Sequence, residues 1–183
     1  MPDRYEHVWA AARPYLRARK NDVHVLLSYG YAETLLAEHP DADPDVVLPA
    51  VILHDTGWAV VEHRTEEVGP DMLKSDLRRA HEIEGARIAR EIVGDGEIAT
   101  IIDGHDTRLY ALSRNDELVK DADKLWRYST TGVAVGCDFF GLTPAEYADH
   151  VEHELDDVLF TPIAVAIAQR EIAATRQALR LES

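Results

Sequence analysis

The chain has 183 residues, of which 46% are hydrophobic and 29% are charged. These proportions are typical of a soluble globular protein, and the length allows one domain, spanning 1–183, to bury a core of ordinary size. The 34 acidic residues outnumber the 19 basic ones and give a formal net charge of −15. Because a field of this sign repels nucleic-acid backbones and anionic lipids, we expect neither nucleic acid nor a membrane as a partner.

The sequence has a single cysteine and lacks the patterns of a membrane-spanning helix or a signal peptide. Cys137 is the only cysteine, which excludes an intramolecular disulfide and a cysteine-based zinc cluster. No apolar run reaches the roughly 20 residues that a membrane-spanning helix needs. The first residues are interrupted by charges and a proline, unlike the apolar region of a signal peptide. We therefore expect a cytoplasmic protein, and the sequence does not indicate its oligomeric state.

Helix signals recur along the chain. A capping residue precedes a proline at the first helical position in Asp43-Pro44, Thr143-Pro144 and Thr161-Pro162. Apolar residues at three- and four-residue spacing mark AETLLAEH, LRRAHEIEGARIAREIV and ELVKDADKLWRYS as helical. The run VVLPAVIL could form a buried strand, but Pro49 disfavours a central strand. The pattern predicts an all-α fold, a helical bundle in a single domain.

A polar pair, His54-Asp55, ends the apolar run VLPAVIL. Burying a carboxylate beside an imidazole costs several kcal/mol unless a partner compensates, and a divalent cation does so best. Adjacent helix positions point about 100° apart, so both side chains reach one metal only if it lies beyond the helix end. Gly57, two residues later, fits a helix end at this point.

Two further polar residues fall on the apolar faces of their helices. His24 is in phase with Leu35, and Asp123 is in phase with Val119, so neighbouring Asp121 should face outward. Taken singly, each is better explained as an ordinary core or surface residue. Together with the His-Asp pair, they give two imidazoles and two carboxylates, a ligand set suited to a divalent metal.

The order H…HD…D, formed here by His24, His54-Asp55 and Asp123, resembles that of the HD-domain superfamily of metal-dependent phosphohydrolases. The phrases AVILHDTGW and KDADKLW are very like that superfamily's helix ends, and the resemblance covers about residues 20–135. It implies an all-helical fold of the HD-domain type, a divalent metal, and hydrolysis of a phosphate ester or anhydride. C-terminal helices at about 143–181 would pack on this core.

Two more histidines, His81 and His105, can each lie on the inner face of a helix, although a capping or packing role stays open for both. With them the order H…HD…H…H…D is similar to the binuclear members of the superfamily. That similarity implies one metal on His24, His54, Asp55 and Asp123, and a second on Asp55, His81 and His105. A metal-bridging hydroxide would then be the nucleophile. Imidazole and carboxylate ligands favour iron or manganese, with cobalt, nickel and zinc as further candidates.

A phosphate-cleaving site also needs cations near the phosphoryl oxygens. Arg108, just beyond His105, and Lys124, next to Asp123, are the first candidates. Weaker candidates precede His81: Lys74, Arg78 and Arg79. Asp106 could act as a general acid or base, or it could orient a ligating imidazole.

The expected substrate is a small phosphorylated molecule, with nucleotides among the candidates. Three departures from superfamily patterns limit its identification: no Glu-Asp follows the HD pair, Gly-Tyr-Pro is missing, and Trp58 stands where a lysine can follow the HDxG turn. The charged segment from about 60 to 76 contains Gly69-Pro70 and is expected to be the least ordered, in a position suited to a lid.

Two alternative functions are compatible with the same residues. The inositol oxygenase and the phosphonate-cleaving oxygenases resemble the same H…HD…H…H…D order and use a mixed-valence di-iron pair to activate oxygen. A helical sensor that binds nucleotide or metal without catalysis is the other alternative. Turnover without oxygen separates the hydrolase from the oxygenase, and stoichiometric metal binding without turnover would indicate the sensor.

Overall fold

The computed structural model describes residues 3–61 and 76–180. The α-helices of these ranges are α1 (Glu6–Ala12), α2 (Asn21–Glu38), α3 (Pro44–Leu53), α4 (Trp58–Val61), α5 (Asp76–Val93), α6 (Gly96–Ile102), α7 (Arg114–Leu125), α8 (Thr130–Phe140), α9 (Pro144–His153), α10 (Leu155–Val158) and α11 (Pro162–Leu179). Short 3-10 turns occupy Asp3–Tyr5, Ala18–Lys20 and Trp126–Tyr128. Within the described ranges no strand occurs, so the predicted all-α fold is confirmed. Most of the predicted lid segment lies outside the described residues.

The three helix starts predicted from capping residues are confirmed. The side chain of Asp43 accepts a hydrogen bond from the backbone N–H at the start of α3. Thr143 and Glu146 form a reciprocal capping box at the start of α9. The hydroxyl of Thr161 accepts from the N–H of Ala164 at 3.3 Å and caps α11. Each bond satisfies a backbone donor that the first helical turn leaves without an intrahelical partner.

Helix α3 is the centre of the bundle. Every residue from Val46 to Leu53 is buried, and the helix packs against α1, α2, α6 and α7. A helix that is apolar all round is stable only when other helices cover it on all sides. The His-Asp pair follows this helix directly, so its side chains emerge into the space where the surrounding helices converge.

One hydrophobic cluster contains buried residues from Tyr5 in the chain's first helices to Ile172 in α11. Helix α11 packs against α7, α9 and α2, which joins the C-terminal helices to the core around α3. A single domain over 1–183 stays a prediction, and this continuous cluster is the observation that supports it. In the described part of the chain, no helix has the length and apolar character needed to cross a bilayer.

Asp121 corrects one expectation, because it is buried rather than facing outward. Its carboxylate accepts hydrogen bonds from the N–H of Phe160 at 2.7 Å, and from the N–H and hydroxyl of Thr161 at 3.0 and 2.6 Å. Helical phase correctly separates Asp121 from Asp123. The face of α7 that we expected to meet solvent is covered by the start of α11, and Asp121 ties the two helices together.

The turn after α3 touches the backbone of α5. A Cβ on Gly57 would lie 1.9 Å from the carbonyl oxygen of His81 and 2.6 Å from the backbone nitrogen of Gly85. A Cβ on Gly85 would in turn lie 3.0 Å from the carbonyl oxygen of His54. Glycine at position 57 is therefore required for the His-Asp turn to approach the helix that carries His81.

We expect Gly57→Ala to force the α3 turn away from α5 and to destabilise the fold by about 1–3 kcal/mol, as overpacked core positions do. The matched control is Gly30→Ala on α2, where an added Cβ meets nothing within 4 Å. That change should stabilise the helix by up to about 1 kcal/mol, because alanine has the higher helix propensity. Urea denaturation of both variants measures the difference, and equal stabilities would contradict the close-approach interpretation.

Candidate metal centre

His54 stands buried at the end of α3 with its ring orientation fixed by the backbone. Its Nδ1 lies 2.7 Å from the carbonyl oxygen of Val51, which can only accept a hydrogen bond. Nδ1 therefore carries a proton, and Nε2 holds the lone pair of the neutral ring. Without a metal, burial lowers the pKa of His54, but the carboxylates of Asp55 and Asp123 outweigh burial and raise it to about 9. A second proton then occupies Nε2 at neutral pH, and a bound cation would replace it. The position thus attracts positive charge.

His24 from α2 and Asp123 from α7 complete a first cluster with His54. The Nε2 atoms of His24 and His54 lie 2.9 Å apart. Asp123 Oδ1 is 3.1 Å from the first and 3.3 Å from the second. Atoms bound to one metal at about 2.0–2.2 Å lie about 3 Å from one another. The three ligand atoms therefore have the spacing of a shared divalent cation.

His81 from α5 and His105, which follows α6, form a second imidazole pair. Their Nε2 atoms lie 3.3 Å apart, and Nδ1 of His105 is 2.9 Å from the carbonyl oxygen of Ile102. Burial lowers the pKa of His81 to about 4, so its ring is neutral. The His81 ring stacks on Trp58 with centroids 4.1 Å apart, and its buried Nδ1 has no hydrogen-bond partner among the described residues.

Asp55 lies between the two imidazole pairs. Its Oδ2 is 3.5 Å from Nε2 of His24 and 3.8 Å from Nε2 of His54. Its Oδ1 is 3.5 Å from Nε2 of both His81 and His105. Burial opposes ionisation of Asp55, but the imidazoles, His54 first, hold its pKa well below the usual range. An ionised carboxylate with one oxygen facing each pair can bridge two cations.

The donor set fits divalent metal. The ligand atoms of His24, His54 and Asp123 form one group that can hold an ion, and those of His54, Asp55 and His105 form another. Both groups are mostly buried, and they mix neutral imidazole nitrogen with carboxylate oxygen, as borderline divalent ions prefer. The ligand atoms of Asp55, His81 and His105 also lie 3.3–3.5 Å from one another.

The cations beside the cluster are fixed by Asp106. Lys124 Nζ donates to Asp106 Oδ1 at 2.8 Å and to Asp123 Oδ2 at 2.7 Å. Arg78 donates to both carboxylate oxygens of Asp106, at 2.7 and 2.8 Å. Burial opposes ionisation of Asp106, but Lys124 and Arg78 hold its pKa well below the ordinary value. The carboxylate is ionised at neutral pH, which opposes the general-acid role considered for it and favours a role in placing two cations.

Arg108 lies in a structural ion pair. Its guanidinium donates to Asp116 Oδ2 at 2.7 Å and to the carbonyl oxygen of Tyr110 at 3.2 Å. Asp116 is fully buried and also accepts from the N–H of Leu112 at 2.8 Å. The arrangement braces the chain between α6 and α7, so Arg108 is less suited than Lys124 to contact a phosphate.

Sequence reasoning missed Glu82, which holds the chain after His105. Its fully buried carboxylate accepts from the N–H groups of Asp106 and Thr107 at 2.8 and 2.7 Å, and from the hydroxyl of Thr107 at 2.6 Å. The only sequence signal is its place next to His81, and an acidic residue in a polar helix is normally exposed.

Lys120 holds the same loop from the other side and was also missed. Its buried ammonium donates to the carbonyl oxygens of Gly104 at 2.6 Å, His105 at 3.1 Å and Arg108 at 2.9 Å. Burial lowers the pKa of Lys120 to about 8. Its spacing of three residues from Asp123 places it on the inward face of α7, which is the signal that could have identified it.

A cavity of about 750 Å³ opens over these groups. Its lining includes the predicted ligands His24, Asp55, His105 and Asp123, together with Lys124. His54 and His81 lie behind them, fully or nearly fully buried. A small molecule in this cavity would have direct access to the predicted metal ligands.

Comparison with known proteins agrees with this geometry. The family model described as HD domain matches residues 22–127, more than half of the chain. The matched region contains every predicted metal ligand from His24 to Asp123. No curated protein and no solved structure matches the chain significantly.

The two aspartates of α7 should separate metal binding from stability. Asp123→Asn removes an anionic ligand and should lower bound metal. Asp121→Asn should keep its metal but lower the free energy of unfolding by about 1–3 kcal/mol, because the new amide N–H₂ would face N–H donors. Metal analysis and urea denaturation measure the two effects.

The control is Asp156→Asn, at an exposed position in α10, which should change neither property. Loss of metal from the Asp121 variant, with retention by the Asp123 variant, would contradict the assignment of ligands on α7.

Proposed function

Because the chain belongs to the HD-domain family, whose members are generally metal-dependent hydrolases, we propose that it is a phosphohydrolase cleaving a phosphate ester or anhydride of a small molecule. The single observation that carries this proposal is Asp55, with one carboxylate oxygen facing each of two imidazole pairs. Buried groups of this kind are costly unless cations compensate them. The open cavity above them gives a substrate access.

We propose two divalent ions, one on His24, His54, Asp55 and Asp123, and one on Asp55, His81 and His105. Iron or manganese suits the mixture of imidazole and carboxylate, with cobalt, nickel or zinc as substitutes, whereas magnesium prefers oxygen ligands. When bound, such ions supply Lewis-acid chemistry: they acidify water and offset charge on phosphoryl oxygens.

The protein's own cations orient the phosphate in this proposal. Lys124 and Arg78 line the cavity, and both are fixed by the ionised carboxylate of Asp106. Preorganised cations of this kind need little rearrangement when charge develops on a transferring phosphoryl group. Asp106 therefore acts through its two partners, while Glu82 and Lys120 keep His105 in place.

Loss of the bridging carboxylate should affect both ions. Asp55→Ala should abolish turnover and remove more metal than His81→Ala does, because only Asp55 faces both imidazole pairs. His81→Ala should spare much of the first ion. Metal stoichiometry of the purified variants measures the difference, and equal metal loss in the two would contradict the two-ion assignment.

The function is tested on metal-free protein reconstituted separately with Mn²⁺, Co²⁺, Fe²⁺ and Mg²⁺. Phosphate monoesters, diesters and anhydrides are then offered with and without oxygen. We expect Mn²⁺ or Co²⁺ to restore release of phosphate or of a phosphorylated product under both conditions. Activity that requires iron and oxygen would indicate an oxygenase, and stoichiometric metal without any turnover would indicate a sensor.

A further inference from the structure

Part of the cavity lining is apolar and takes no part in the hydrolysis proposed above. It contains all three phenylalanines of the chain. Phe139, Phe140 and Phe160 are 44%, 47% and 37% exposed. Phenylalanine is normally among the most buried residues, and exposed apolar residues gathered in a cleft mark a binding surface. We call these three residues the phenylalanine wall.

One member of the phenylalanine wall, Phe140, packs on a buried aromatic ring. The ring of Tyr147 stacks on Phe140 with centroids 5.9 Å apart and an interplanar angle of 24°. Tyr147 is buried directly against Gly136, where an added Cβ would lie 2.1 Å from the ring. An exposed ring held in place by a buried one loses little side-chain entropy when a ligand packs on it.

Two sets of ring contacts place aromatic residues of the cavity next to the predicted metal ligands. Trp126 lines the cavity, and its ring lies 4.7 Å from the ring of His24. The guanidinium of Arg19 lies over both Phe139 and Trp58, 5.2 and 4.2 Å from the ring centroids. A molecule whose phosphate lies at Lys124 can therefore extend its remaining part along aromatic surfaces.

The charged side chains of the cavity lining largely offset one another. Its lining has six basic side chains, Arg19, Arg78, Arg108, Lys120, Lys124 and Arg127, and five acidic ones, Asp55, Asp106, Asp123, Glu154 and Asp157. Asp106 engages Arg78 and Lys124, Asp116 engages Arg108, and Glu154 engages Arg127 at 3.1 Å. These pairs leave little net charge on the protein's own side chains, so positive charge for a phosphoryl group would come mainly from the proposed metal ions.

We propose that the phenylalanine wall binds the leaving group of the substrate, and that the substrate is a phosphate ester of an alcohol bearing a flat aromatic group. This inference rests on the proposed function. The aromatic leaving group would stack on the wall, and the phosphoryl group would lie beside Lys124 and Arg78, which also line the cavity.

Binding is tested without turnover by calorimetry on the Mn²⁺-loaded full chain. The ligands are two non-hydrolysable phosphonates, 2-naphthylmethylphosphonate and n-propylphosphonate, which present the same anionic group. We expect the aromatic ligand to bind at least about tenfold more tightly, the range that stacking on aromatic side chains provides. Equal dissociation constants for the two ligands would overturn the proposal.

Phe139→Ala and Phe160→Ala should each reduce the binding ratio of the two phosphonates and leave the affinity for n-propylphosphonate unchanged. The matched control is Tyr110→Ala, an aromatic residue that is 64% exposed and does not line the cavity. It should leave the ratio unchanged. If Phe139→Ala instead dissociates a dimer in sedimentation and the ratio stays the same, the wall is a self-association surface and the proposal is wrong.

Turnover of the corresponding phosphate esters tests the aromatic subsite separately from the proposed phosphohydrolase activity. The two leaving alcohols are both primary, so a preference for the naphthylmethyl ester should appear mainly in KM. Hydrolysis of both esters without preference would leave the hydrolase intact and overturn the aromatic subsite. Selective phosphonate binding without hydrolysis of any phosphate would overturn the hydrolase and retain the aromatic-anion site.

Discussion

The fold depends on one electrostatic constraint, which is the ionised carboxylate of Asp55 held among four buried imidazoles. Each of its oxygens faces one imidazole pair, at 3.5–3.8 Å and 3.5 Å. The ligand atoms come from α2, α5, α7, the end of α3 and the turn after α6, so five separate parts of the chain must converge on one carboxylate. Charged and polar groups at such a point need compensation, so the place where the helices converge is suited to a cation.

Convergence is achieved by close backbone contact on one side and by buried charges on the other. Gly57 lets the His-Asp turn touch α5, so the first and second imidazole pairs come within reach of one carboxylate. Glu82 accepts hydrogen bonds from N–H groups of the loop around His105, and Lys120 donates hydrogen bonds to carbonyl oxygens of the same loop. A loop whose donors and acceptors are both bound by buried charged groups has few alternative conformations, so His105 is as well placed as a residue within a helix.

Local patterns predicted much of this molecule. Capping residues predicted three helix starts, and the phase of His24 and Asp123 predicted side chains that the fold does bring together. Predictions failed where the environment of a residue depends on a distant part of the chain. Asp121 looks exposed on α7 alone, because nothing local shows that α11 covers it. Helix α8 carries two glycines that weaken its helical pattern, so the element that supplies Phe139 was not predicted. Glu82 and Lys120 were missed because most of their partners are backbone groups of a loop distant in sequence, which no local pattern shows. The ligand assignments themselves stay a prediction.

Helix α7 brings several tasks onto one rigid element. Within one turn and a half it carries Lys120, which holds the loop of His105, then Asp123, then Lys124. Asp121, between them, fixes the same helix to α11. Because a helix of this length moves as a single body, a rotation of α7 would displace Lys120, Asp123 and Lys124 in the same step. Asp121 therefore connects the site to the C-terminal helix. A shift of α11 against the core would move α7 and, with it, Lys120, Asp123 and Lys124.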